Sequence, residues 1–216
     1  MKTSKTELLK SWERSGLITQ KAVLDAFCEV NREDFVIEKF REDAYGDFPL
    51  SIGYEQTISQ PTTVVLMSQF LDLSKGDRVL EIGSGSGYSA AIISRIVGDR
   101  GFVFSTEIIG ELADFAKNNL KKSGIFNVKV KHTDGSFGLP RYAPFDRVII
   151  TAAAPDIPPP ITNQLKDGGI LVAPVGKNRF CQKMLRAIRR GKDLQIEELG
   201  SFVFVPLRGK YGFSKE

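Results

Sequence analysis

Histidine is nearly missing from this chain: His132 is the one copy in 216 residues. One imidazole cannot build a histidine metal cluster, no catalytic triad is evident, and His132 reads as structural or incidental. Cysteine is almost as scarce. Cys28 and Cys181 lie far apart and form no CxxC pattern, which excludes a disulfide framework and a zinc site. Each reads as a small buried thiol. No stretch approaches the roughly 20 apolar residues of a membrane helix. The opening MKTSKTELLKSWERSG lacks the continuous apolar region of a signal peptide. No metal and no membrane partner are expected, and the expected location is the cytoplasm.

Charge of one sign is also lacking, since 30 Lys and Arg oppose 26 Asp and Glu for a net +4. The basic residues crowd into 177–192, including Arg179, Lys183, Arg186, Arg189 and Arg190. They alternate with Met184, Leu185 and Ile188, as on the solvated face of a strand. A nucleic-acid groove would add exposed aromatics or a binding module, so no nucleic-acid partner is expected. This stretch is the only motive for an RNA acceptor.

What is present is a core: 42% hydrophobic and 10% aromatic residues suffice for one domain over 1–216. Residues 1–60 carry two short helices, broken at Ser15-Gly16, and a mostly irregular segment. Residues 61–176 form an α/β core, and 177–216 hold antiparallel strands turning at Arg190-Gly191. A helix starts at Pro61, where proline suits the first turn, and runs to about Leu73. Strands are expected at 78–82, 102–106, 128–131, 146–151 and 169–174. Helices fall between the early strands, and a short one over 161–165. Repeated strand–helix units imply a doubly wound, mostly parallel seven-stranded sheet, ending in an antiparallel strand pair. Such sheets bind ligands at the carboxyl ends of their strands, where the strand order reverses.

The segment Glu81-Ile82-Gly83-Ser84-Gly85-Ser86-Gly87-Tyr88 follows a strand and opens a helix. Alternate glycines let the backbone turn tightly against a ligand. The dinucleotide fingerprint fails, because Tyr88 stands where its third glycine belongs. An acid at the strand end followed by GxGxG resembles the first motif of class I methyltransferases. Glu107, past the next strand, is placed to accept from both ribose hydroxyls, a device shared with nicotinamide enzymes. It also reads as an acid favoured at a helix N-terminus. Asp134-Gly135 follows the third strand, placed to meet an adenine edge; Asp134 alone is an ordinary turn residue. Methyl transfer to a carboxylate needs alignment and dryness more than a base, because a carboxyl of pKa ~4 is already ionised.

Longer segments carry a more specific resemblance. Asp47-Phe48-Pro49-Leu50-Ser51-Ile52-Gly53, then Gln56-Thr57-Ile58-Ser59-Gln60-Pro61, resemble the signature preceding the cofactor strand in protein-L-isoaspartate O-methyltransferases. Similarity continues through VLEIGSGSGY, APFD, TAAAP, Gln164-Leu165-Lys166-Asp167-Gly168-Gly169 and the closing FVPL. The resemblance implies S-adenosylmethionine as methyl donor, with S-adenosylhomocysteine as product. It implies isoaspartyl proteins and peptides as acceptors. The implied cofactor set is Glu81, Gly83, Ser84, Gly85, Ser86, Gly87, Glu107, Ile108, Asp134 and Gly135. Ser59 matches the active-site serine that would orient the substrate carboxylate. Gln56, Thr57 and Ile58 would line its pocket, and Leu207 would close over it. Read from the residues alone, Ser59 is a helix N-cap. Four positions depart from the pattern: Asn31 and Asp167 replace prolines, Thr133 replaces a glycine and would crowd the adenine, and Glu55 sets a negative charge beside the pocket.

Overall fold

The structure, a computed structural model, describes residues 3–178 and 180–213, so Arg179 lies outside the described residues. Strands β3 (Arg78–Ile82), β4 (Phe102–Glu107), β5 (Val128–His132), β6 (Phe145–Ile150) and β7 (Leu165–Val175) run parallel. Strands β8 (Gln182–Arg190) and β9 (Asp193–Phe202) extend the sheet antiparallel, giving the order β5-β4-β3-β6-β7-β8-β9. The chain leaves β3 toward β4 and β5, then returns to pair β6 on the other side of β3. The order therefore reverses beside β3, and a crevice opens at the carboxyl ends of β3 and β6. Helices α4 (Tyr88–Val97) and α5 (Gly110–Lys122) connect these strands. Because helices cover the sheet, β3 is buried from Val79 to Ile82 without alternation.

Helices α1 (Lys5–Ser15) and α2 (Lys21–Glu29) pack onto this frame. Ser4 and Glu7 form a reciprocal capping box that starts α1, and Gly16 ends it in the left-handed conformation. Trp12 meets Phe27 edge to face at 4.7 Å and donates its indole N–H to Thr62 at 2.9 Å. Side chains of α1, α2, α4 and α5 share one apolar cluster, so the N-terminal helices serve the core.

The segment expected to be irregular contains a small hairpin, β1 (Leu50–Gly53) with β2 (Gln56–Ile58). Tyr54 and Glu55 form its two-residue turn with φ of 53° and 59°. Two positive φ values are the twist that a tight hairpin demands, normally met by Asn-Gly. Helix α3 (Pro61–Phe70) follows at once. Its N-cap is Gln60, without a side-chain cap bond, so the Ser59 cap does not form. The Asp47 carboxylate reaches the helix end instead, accepting from the Thr62 N–H at 3.0 Å and its hydroxyl at 2.7 Å.

The thiol expectation also fails: Cys28 and Cys181 are both exposed. The apolar face of α2 is Val23, Ala26 and Phe27, and Cys28 follows just off it. Strand β7 begins four residues before the expected start, since Leu165 pairs with Phe145 ahead of a register shift. Asp167 accepts from the Gly191 N–H at 2.7 Å, fastening the turn between β8 and β9 to β7. The basic residues of β8 are largely spent inside the chain. Arg189 donates to the Thr162 and Asn163 carbonyls at 3.1 and 3.2 Å, and Arg186 to that of Phe70 at 2.9 Å. Lys183 and Arg186 also face Glu198 and Glu197 on β9.

Candidate active site

The site is built from the ends of β3, β4 and β6. Past β3, the Gly83 and Ser84 N–H groups both donate to the Thr106 carbonyl at 2.9 Å, folding the loop back over β4. Gly83 holds φ +96°, and a Cβ there would stand 2.5 Å from Thr151 Oγ1. That hydroxyl, at the end of β6, donates to the Gly83 carbonyl at 2.6 Å. Only glycine admits this closeness, so the loop backbone lies bare along the crevice. Gly87 ends the loop as the N-cap of α4.

Glu107 binds the loop to the next helix. Its Oε2 accepts from the Gly85 N–H at 2.9 Å, and Oε1 from the N–H groups of Ile108 and Ile109 at 2.9 and 3.1 Å. Three donors on roughly four lone-pair sites leave capacity for a further donor. Ile109 is the N-cap of α5, so Glu107 also serves the helix end. Deeper, Glu81 is fully buried and accepts from Ser105, its register partner on β4, while its Oε1 has no partner. Burial, opposed chiefly by the Ser105 hydroxyl and joined by a smaller push from Glu107, raises its carboxyl to about 7.

Three cavities meet here. The first is lined by Glu107, Ile108, Gly135, Gln56, Thr57 and the segment Val205, Pro206, Leu207 and Arg208. A second is lined by Ile58, Ser59, Ser84, Gly85 and Ser86. A third lies along Ser59, Gln60, Val203, Phe204 and Val205. Thr57 and Thr151 line all three, so the cavities adjoin at these two residues. The first is roofed by the C-terminal segment. Among the described residues, no group of three or more His, Cys, Asp or Glu is placed to hold a metal ion.

Residues 3–212 match the family model of protein-L-isoaspartate(D-aspartate) O-methyltransferase. The chain belongs to this family. It is 50% identical over 184 residues to the protein-L-isoaspartate O-methyltransferase of Methanocella arvoryzae, covering 85% of this chain and 97% of that one. Over 209 residues it is 46% identical to protein-L-isoaspartate O-methyltransferase 1 of Archaeoglobus fulgidus, covering 97% and 95%. A solved protein-L-isoaspartate O-methyltransferase superposes with a TM-score of 0.85 at 29% identity, over 96% of this chain and 67% of that one. A Plasmodium falciparum structure, described as a β-aspartate methyltransferase in complex with S-adenosyl-L-homocysteine, shares the fold at TM-score 0.82. Its identity is 23%, over 96% of this chain and 99% of that one.

Within this protein-L-isoaspartate(D-aspartate) O-methyltransferase family member, most of the implied residues converge. Gln56, Thr57, Leu207, Gly83, Gly85, Glu107, Ile108 and Gly135 line the first cavity, and Ile58, Ser59, Ser84 and Ser86 the second. Glu81, Gly87 and Asp134 line none of the three. Asp134 accepts from the Ser136 N–H and, through its other oxygen, from the Lys210 N–H, both at 2.9 Å. It anchors the C-terminal segment over the first cavity. Thr133 is likewise absent from the linings, and its N–H donates to the Glu107 carbonyl at 2.8 Å. Glu55 does not leave a bare charge, because Arg208 donates to it at 3.1 Å. The residue reading missed Thr106, Val205 and Arg208, and gave Thr151 no role. Thr151 opens the TAAAP motif directly after β6, which is the signal that would have found it.

Proposed function

We propose that the chain moves a methyl group from S-adenosylmethionine to the free carboxylate of L-isoaspartyl residues in damaged proteins and peptides. The observation that carries this reading is the convergence of the Gln56–Ser59 segment with the Gly83–Gly87 loop around Thr57 and Thr151. The residues fit the donor. Glu107 has hydrogen-bonding capacity left for ribose hydroxyls, and the bare loop and Gly135 form a cradle. A Cβ on Gly135 would lie 2.3 Å from Thr106 Oγ1, so a side chain has no room there. S-adenosylmethionine, when bound, supplies an electrophilic methyl on a sulfonium. The chain supplies the rest. Ser59, free of any helix-capping duty, donates its hydroxyl to the acceptor carboxylate and orients it. Backbone groups of Gln56, Thr57 and Ile58 complete that pocket. Leu207 and its neighbours keep water away from the reacting atoms.

No general base is required, because the acceptor carboxylate is ionised at neutral pH. The ester leaves more readily than a free carboxylate, favouring closure to a succinimide and partial return to aspartate. Recognition through backbone suits damaged sites in many sequence contexts, and the third cavity runs beside extended chain. No helix among the described residues is long and apolar enough to cross a membrane. We place the enzyme in the cytoplasm, a reading supported by two exposed free thiols.

Steady-state methyl transfer by wild type and Ser59→Ala tests the assignment. A charge-assisted hydrogen bond of about 1.5–3 kcal/mol corresponds to a loss of about 10- to 100-fold in kcat/KM. Because Ser59 caps no helix, the variant keeps the wild-type melting temperature. Full activity in Ser59→Ala would remove Ser59 from the mechanism.

A further inference from the structure

Arg208 is the one basic residue among the linings of the three cavities within the described residues. Its partner is Glu55, whose side chain is 90% exposed at the hairpin tip while that of Arg208 is 40% exposed. The pair joins residues 153 positions apart across the cavity mouth. Glu55 belongs to the hairpin turn, where it and Tyr54 hold positive φ without being glycine or asparagine.

The C-terminal segment ties this cation to the acceptor side. Val203, Phe204 and Val205 line the cavity that reaches Ser59, and Arg208 follows three residues later. Three extended residues span about 10 Å, the reach of two or three residues of an acceptor peptide lying alongside. Arg208 is absent from the cavities that Ser59 lines, so it is placed for a flanking side chain instead of the methylated carboxylate.

We propose that Arg208 is a specificity-determining residue that receives a carboxylate flanking the isoaspartyl site, and that Glu55 is the counter-ion the acidic peptide displaces. This rests on the isoaspartyl reading above. Glu55 then acts as an internal competitor, damping a preference for acidic sequences that Arg208 alone would make strong. An exposed guanidinium and a peptide carboxylate interact in high dielectric, so the effect is several-fold and salt-sensitive.

The test uses isoaspartyl peptides that differ only in Glu, Gln or Lys two or three residues from the isoaspartyl site. Each is assayed with wild type, Glu55→Gln, Arg208→Gln and the double variant. In Glu55→Gln, KM for the Glu peptide falls about 3- to 10-fold relative to the Gln peptide, with kcat unchanged, and the gap closes at high salt. Arg208→Gln reverses the order, leaving Glu55 to repel the acidic peptide and favour the Lys one, and the double variant treats all three alike. Cofactor affinity, read by calorimetry, stays constant between wild type and Glu55→Gln. Unchanged KM ratios in Glu55→Gln overturn the proposal. So does a change in cofactor affinity without a change in those ratios, which would make the pair a clasp on the cofactor cavity. If wild type methylates none of the three peptides, the isoaspartyl reading itself falls, and this proposal with it.

Discussion

Glu81→Gln isolates the titration of a single buried carboxyl. Glu81 has no exposed surface, and burial raises its carboxyl from an ordinary 4.5 to about 7. An unfolded chain releases this proton near 4.5, whereas the folded chain holds it until about 7. Between those values the native state binds more protons, so stability falls as pH rises, and the loss is complete above the folded value. From these two values the penalty is below about 1 kcal/mol at pH 5 and about 3 kcal/mol at pH 8. Glutamine keeps the shape and removes the titration. Its amide N–H₂ lands where Glu81 Oε1 has no partner, a cost that does not vary with pH. Urea unfolding of the unliganded wild type and variant at pH 5 and pH 8 reads the difference. The stability gap moves toward the variant by about 2–3 kcal/mol between the two pH values, or about 4–12 °C in Tm for a domain this size. A gap independent of pH would show Glu81 ionised at an ordinary pH or hydrated.

Glu107→Gln removes a charge that accepts three backbone N–H groups; calorimetry should show S-adenosylmethionine affinity lowered about 10- to 100-fold. Gly83→Ala sets a Cβ 2.5 Å from Thr151 Oγ1 at a φ of +96°; the expected cost is about 1–3 kcal/mol in urea unfolding, with loss of cofactor binding. Thr151→Val deletes the hydroxyl bond to the Gly83 carbonyl; stability falls by about 1 kcal/mol and kcat drops as the loop loosens.

The α/β core was legible because its physics is local. A strand covered by helices is a continuous apolar run such as Val79 to Ile82, and the glycines that follow mark the only backbone able to turn there. The β1–β2 hairpin was not legible. Its strands span four and three residues, and the Tyr54-Glu55 turn lacks the Asn-Gly signal. Gln56 to Ser59 could be placed in the site only through the family signature. Asp134 shows the other limit. Its reach to Lys210, 76 residues on, is a tertiary fact that no local pattern contains. Cys28 was misjudged for a simple geometric reason, standing one residue past Phe27 and off the buried face of α2. The Glu55 charge was visible in the sequence, but its pairing with Arg208 depends on the C-terminal segment folding back across the site.

The central claim is the pairing of donor and acceptor. Transfer of labelled methyl from S-adenosylmethionine to a synthetic isoaspartyl peptide, against the matched aspartyl peptide, tests it most directly. Label is expected in the isoaspartyl peptide alone, released by mild alkali as an ester is. Cofactor binding with no label in either peptide, or equal labelling of both, would contradict it.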